Sequence, residues 1–144
     1  MARLVRLLVL LVSVAVLLVT TVRGAGDSTL TKAVKAGDLA GAKKLIAARA
    51  DVNATGGDGS TPLLWAAHQS DIEMARTLIA AGAKPDVPNH YGVTPLLDAS
   101  RTGDVPMMEL LLKAGADPKR THTEGETPLM AAAAFRSKIG RAHV

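Results

Sequence analysis

One short motif returns three times at a fixed interval, and it constrains the fold more tightly than any other feature of the chain. Thr61-Pro62-Leu63-Leu64, Thr94-Pro95-Leu96-Leu97 and Thr127-Pro128-Leu129-Met130 are spaced by 33 residues. The same offset carries Leu45-Ile46 onto Leu78-Ile79 and Leu111-Leu112, Gly82-Ala83 onto Gly115-Ala116, and Gly59 onto Gly92 and Gly125. A long exact period of this kind marks an array of supersecondary units, each of which needs its neighbours to bury its apolar side.

The residues inside one period predict its shape. Thr61 caps a first helix through its hydroxyl, and Pro62 takes the first helical position, where a missing N–H costs nothing. Leu63, Ala66 and Ala67 share one face of that helix, and Ser70-Asp71 turns the chain. Ile72, Met74, Ala75, Leu78 and Ile79 then form the apolar stripe of a second, antiparallel helix. Gly82 supplies the left-handed cap that ends it. Hydrophobic residues make up 48% of the chain, with one Trp, one Tyr and one Phe. A core of Ala and Leu favours closely packed helices and argues against a β-sandwich.

On these residues the chain resembles the ankyrin-repeat family, over residues 28–136. The resemblance implies an all-α solenoid of helix-turn-helix units with projecting hairpin loops. Its units are 28–60, 61–93, 94–126 and a partial 127–136. The segment from Lys84 to Gly92 resembles the projecting hairpin, with Gly92 in its turn. The departures from the family pattern carry their own expectations. Leu64, Leu97 and Met130 replace the usual His, so apolar packing stands in for a polar tie. The first unit begins Ser28-Thr29-Leu30 without proline and is crowded with lysines, as suits a capping repeat with one wet face. Arg49 stands where Gly82 and Gly115 stand later, and a left-handed conformation there costs roughly 1 to 2 kcal/mol.

The formal net charge is +4, from 17 Lys and Arg against 13 Asp and Glu. Arg3, Arg6 and Arg23 flank an N-terminal apolar run, and Lys138 and Arg141 lie in the final residues. Between them, 12 basic residues face the 13 acids, so the body is close to neutral. Lys32, Lys35, Lys43 and Lys44 read as solvated helix surface, and no nucleic-acid partner is expected.

The uncharged run Leu7–Val22 follows two arginines and ends at Arg23-Gly24-Ala25-Gly26, the layout of a secretory signal peptide. A transmembrane helix wants about 20 apolar residues, so a cleaved signal at 1–24, with a short linker at 25–27, is favoured over an anchor at 7–22. The chain holds no cysteine, hence neither a disulfide framework nor a lipoprotein attachment site. The expected location is periplasmic or extracellular, with membrane attachment through residues 7–22 as the alternative.

Catalytic and metal motifs do not survive scrutiny. Asp51-x-Asn53-x-Thr55-Gly56 imitates half of an EF-hand loop, but the twelfth position, where a bidentate carboxylate is needed, is Pro62. Asn53-Ala54-Thr55 is a glycosylation sequon that reads more simply as the tail of a hairpin. His68, His90, His122 and His143 lack metal-ligand spacing. Neither a nucleophile elbow nor a phosphate loop is present. No cofactor is implied, and the chain reads as a monomeric, noncatalytic interaction module whose partner is another protein. One rival reading makes the array the targeting arm of a longer enzyme, and another a membrane-tethered scaffold.

In arrays of the kind it resembles, inner helices and hairpin loops line a concave groove. That resemblance places Trp65, His68 and Gln69 on the groove, and the 33-residue offset adds Asp98, Arg101 and Thr102. His90, Tyr91 and His122 join them from the loops. Trp, Tyr and Arg are the side chains that most often dominate interfaces, although Trp65 could serve packing equally well.

The last unit ends near Arg136, within or just after its first helix. No second helix is read beyond it, which is expected to expose the apolar side of the preceding unit from Met107 to Leu112. Residues 137–144 resemble a translated sequencing adapter and are read as an artefactual or disordered tail. If the N-terminal reading holds, intact-mass measurement after expression in a secreting host shows loss of the residues before Ala25. A full-length mass in the membrane fraction would support the anchor instead.

Overall fold

The structure is a computed structural model that describes residues 27–142, with side chains as far as Arg136. The signal segment 1–24, most of the linker 25–27, and His143 therefore lie outside the described residues. Seven helices follow one another among them: α1 (Thr29–Lys35), α2 (Leu39–Ala47), α3 (Pro62–His68), α4 (Ile72–Ala80), α5 (Pro95–Thr102), α6 (Val105–Lys113) and α7 (Pro128–Ala142). They pair as α1 with α2, α3 with α4 and α5 with α6. The inner row α1, α3, α5, α7 stacks unit on unit, as does the outer row α2, α4, α6. The expected all-α solenoid is what forms.

Both helices of a unit are capped by the repeat itself. Ser28, Thr61 and Thr94 each accept a hydrogen bond from the backbone N–H three residues on, at 3.1 to 3.2 Å. Asp38, Asp71 and Asp104 do the same for the outer row, at 2.8 to 3.1 Å. Each cap of this kind contributes about 1 kcal/mol. The threonine caps are as expected, and Asp71 caps a helix as well as turning the chain.

The core repeats with the same period. Leu30, Leu63 and Leu96 are at most 2% exposed. Beside them lie buried Ala66 and Ala99, Met74 and Met107, Leu78 and Leu111, and Ala83 and Ala116. The substitutes for the usual His are also buried in two units, Leu64 and Leu97, but Met130 is 58% exposed. The fourth leucine of the column, Leu129, is 74% exposed, because no further unit covers it among the described residues. The open apolar side therefore lies only partly where expected. Met107 and Leu111 are fully buried, whereas Leu112 of the same stretch is exposed, as are Val105, Leu129 and Met130.

The final helix also differs from expectation, running to Ala142 rather than ending near Arg136. Ala131 to Ala134 are strong helix formers, and neither proline nor glycine follows until Gly140. Among the described residues no helix is long and apolar enough to cross a membrane.

Each unit bends through left-handed backbone at fixed places. One series is Gly37, Ser70 and Gly103, another is Arg49, Gly82 and Gly115, and both recur at the 33-residue offset with positive φ throughout. Ser70 (φ 56°) and Arg49 (φ 62°) hold this conformation against the Cβ penalty.

Two predictions follow from this geometry. Arg49→Gly and Ser70→Gly should each stabilise the fold by about 0.5 to 1 kcal/mol, the penalty relieved less the entropy of a new glycine; unchanged urea midpoints would show that neither site is strained. Leu96→Ala should cost about 2 to 5 kcal/mol, whereas Leu129→Ala should stay within about 0.5 kcal/mol. Equal losses would mean that Leu129 is covered in solution.

Candidate functional site

Between α3 and α5 and beneath two hairpin turns lies a cleft of about 200 Å³, lined by Asp58, Ser60, Leu64, Trp65, His68, Asn89, Val93 and Asp98. The inner helices aim their solvent-side residues into it because Leu63, Ala66 and Ala67 on the opposite side of α3 are consumed by the core. Trp65 is consequently half-buried, and its indole Nε1 is buried with no hydrogen-bond partner among the described residues.

A chain of polar contacts surrounds the indole. The Lys35 ammonium sits 4.1 Å from the ring centroid, in cation–π range, and is paired with Asp27. The His68 ring meets the indole edge-on at 5.8 Å, and its Nδ1 lies 3.1 Å from Asp98 Oδ2. Gln69 donates from Nε2 to the Lys35 carbonyl at 2.9 Å, tying α3 to the end of α1. One unit further, Arg101 donates from Nε to Glu126 at 2.9 Å and makes a second bond to it through its guanidinium. Lys35, His68 and Arg101 thus occupy one repeat position, and each faces a carboxylate.

The loops are built by turns that reproduce one another. Gly56, Asn89 and His122 each donate their backbone N–H to the carbonyl four residues on, at 2.8 to 3.0 Å. In the first turn, Asp58 takes the Ser60 backbone N–H at 3.0 Å and the Ser60 hydroxyl at 2.8 Å. Burial pushes the Asp58 carboxyl up, but these Ser60 bonds, its own backbone N–H and the Lys35 charge outweigh that and hold it below the ordinary value of 3.8. Neighbouring loops are joined directly. His90 donates its N–H to the Asp58 carbonyl at 3.0 Å, Asn53 Oδ1 accepts from Lys84 N at 2.8 Å, and Asp86 accepts from Asp117 N. Asp51-x-Asn53 is accounted for in the same way, as an Asx turn in which Asp51 accepts from Asn53 N at 2.9 Å.

Of the nine residues expected on the groove, Trp65, His68 and Asp98 come together on the cleft, and Gln69 and Arg101 bridge adjacent units beside it. Thr102 is turned back onto its own helix, donating to the Asp98 and Ala99 carbonyls. His90 and His122 pack at the loops: a Cβ on Gly59 would lie 2.5 Å from His90 Cδ2, and one on Gly92 would lie 3.5 Å from His122 Cδ2. Tyr91 stands free at 67% exposure. Among the described residues no three His, Asp or Glu side chains gather as a metal site would require.

Sequence reasoning missed Lys35, Asp58, Asn89 and Glu126. The signal was present for three of them. Stepping the 33-residue offset back from His68 gives Lys35, from Tyr91 gives Asp58, and from His122 gives Asn89. Glu126 could be found only by knowing that Arg101 reaches across to the next loop.

A search among curated proteins finds no match. A family model described as ankyrin repeats (3 copies) matches residues 30–122. That span covers the three units whose caps, left-handed turns and leucine column recur at one interval, and the chain belongs to the ankyrin-repeat family.

Proposed function

We propose that this chain is an exported, noncatalytic module that binds another protein along its concave groove, with the Trp65 cleft as the principal contact. Ankyrin repeats are generally protein–protein interaction modules and typically noncatalytic. The observation that carries the finer reading is the state of Trp65. The ring is half-buried and borders an open cleft beside Asp58 and Asp98, which places it to meet what the cleft receives. Arg101, Tyr91 and the loop residues extend the same surface. Export rests on the Leu7–Val22 run and its flanking arginines, and makes the partner a periplasmic or extracellular protein.

The test compares one crosslinked or affinity-captured partner across variants. Trp65→Ala and Arg101→Ala should each weaken its binding by more than about 1 kcal/mol, with helix content unchanged by circular dichroism. Glu73→Ala, on the outer row, should have no effect. A partner that binds the Trp65→Ala/Arg101→Ala double variant as tightly as the parent would remove the groove from consideration.

A further inference from the structure

The chemistry of the cleft specifies what part of a partner it can hold, and this step rests on the groove reading above. Its volume of about 200 Å³ falls below the roughly 300 to 1,000 Å³ of small-molecule sites, which suits one inserted side chain. The lining is divided. Leu64, Trp65 and Val93 offer an apolar wall, and Asp58 and Asp98 offer carboxylates. Neither lysine nor arginine lines it. Lys35 is held at the indole ring by Asp27, outside the lining, and reaches Asp58 only through its charge. Asp98 meets His68 through Oδ2, and its Oδ1 makes no hydrogen bond among the described residues. Burial raises the Asp58 carboxyl, but its Ser60 bonds, its own backbone N–H and the Lys35 charge bring it below the ordinary value.

An apolar or anionic side chain would cover the Asp98 Oδ1 without offering it a donor. A long cationic side chain satisfies both halves, its stem against the apolar wall and its charged end at the carboxylates. A planar guanidinium also stacks on indole and bonds a carboxylate in a fixed fork, which an ammonium does not. We propose that the cleft receives an arginine side chain of the partner protein, stacked beside Trp65 and hydrogen-bonded to Asp98, with Asp58 adding charge.

Trp65 is the only tryptophan of the chain, so its fluorescence reports occupancy directly. Peptides selected from a random displayed library against the full chain would be synthesised with each arginine as Arg, Lys or citrulline, which keeps the shape and removes the charge. The expected result is a saturable change in Trp65 fluorescence, with at least a tenfold loss of affinity for citrulline and a smaller loss for lysine. Asp98→Asn, close in size to the parent residue, should lose about as much for the arginine peptide and little further for the citrulline peptide. Asp58→Asn should give a weaker effect in the same direction, and circular dichroism should show both variants folded. Peptides that perturb Trp65 yet are indifferent to citrulline, or to Asp98→Asn, overturn the arginine assignment and leave the groove reading standing. Peptides that bind without perturbing Trp65 overturn both.

Discussion

Helices of seven or eight residues do not persist alone in water. Nucleation costs more than so few hydrogen bonds return, and lengths below about 12 residues are marginal even for strong helix formers. The inner helices α1, α3 and α5 are of that size, so each exists because a neighbouring unit covers its leucine. Everything else in the molecule is arranged around that dependence. The side-chain caps shorten what the helix must do for itself, and the left-handed turns bring the outer helix back onto the inner one within three residues. The loops take the load of keeping successive units in register, through Asn53 with Lys84 and Asp86 with Asp117.

The repeat made most of this readable from sequence. A threonine before a proline, a glycine after an apolar stripe and a constant spacing are local signals with one physical meaning each, and Thr61, Pro62, Gly82 and Gly92 do what they implied. Arg49 was also legible, since its column named the conformation that its side chain opposes. The failures share a cause: each depended on a neighbour rather than on the residue itself. Met107 and Leu111 looked exposed because the covering role of their own inner helix was undervalued. Asp71 reads as a turn residue because a turn and a cap begin alike. Lys35 looked like solvated surface because nothing in the first unit announces that Trp65 of the second lies beside it.

The groove shows how an array acquires a specific surface without new architecture. At the repeat position of Lys35, His68 and Arg101, three units carry three different basic side chains, each met by a carboxylate drawn from a different place: Asp27 ahead of its own helix, Asp98 on the next inner helix, and Glu126 on the next loop. These exposed pairs contribute little to stability. They do fix where each basic side chain points, and no lysine or arginine lines the stretch between Asp58 and Asp98. Only the middle interval also carries an indole, and that combination occurs once in the array.

The meeting of Gly59 with His90 has a consequence for how change spreads along the molecule. The hairpin of one unit is shaped to take the imidazole of the next, and the Asp58 carbonyl is bonded to the His90 backbone at the same point. The loops therefore behave like overlapping roof tiles. A side chain introduced at Gly59 would leave its own turn short of room by lifting the tile above it, and the displacement would be passed to Asn89 and Val93 on the far wall of the cleft. Alterations in one repeat are in this way felt by the repeat that follows, and the hairpins facing a partner are shaped as a set.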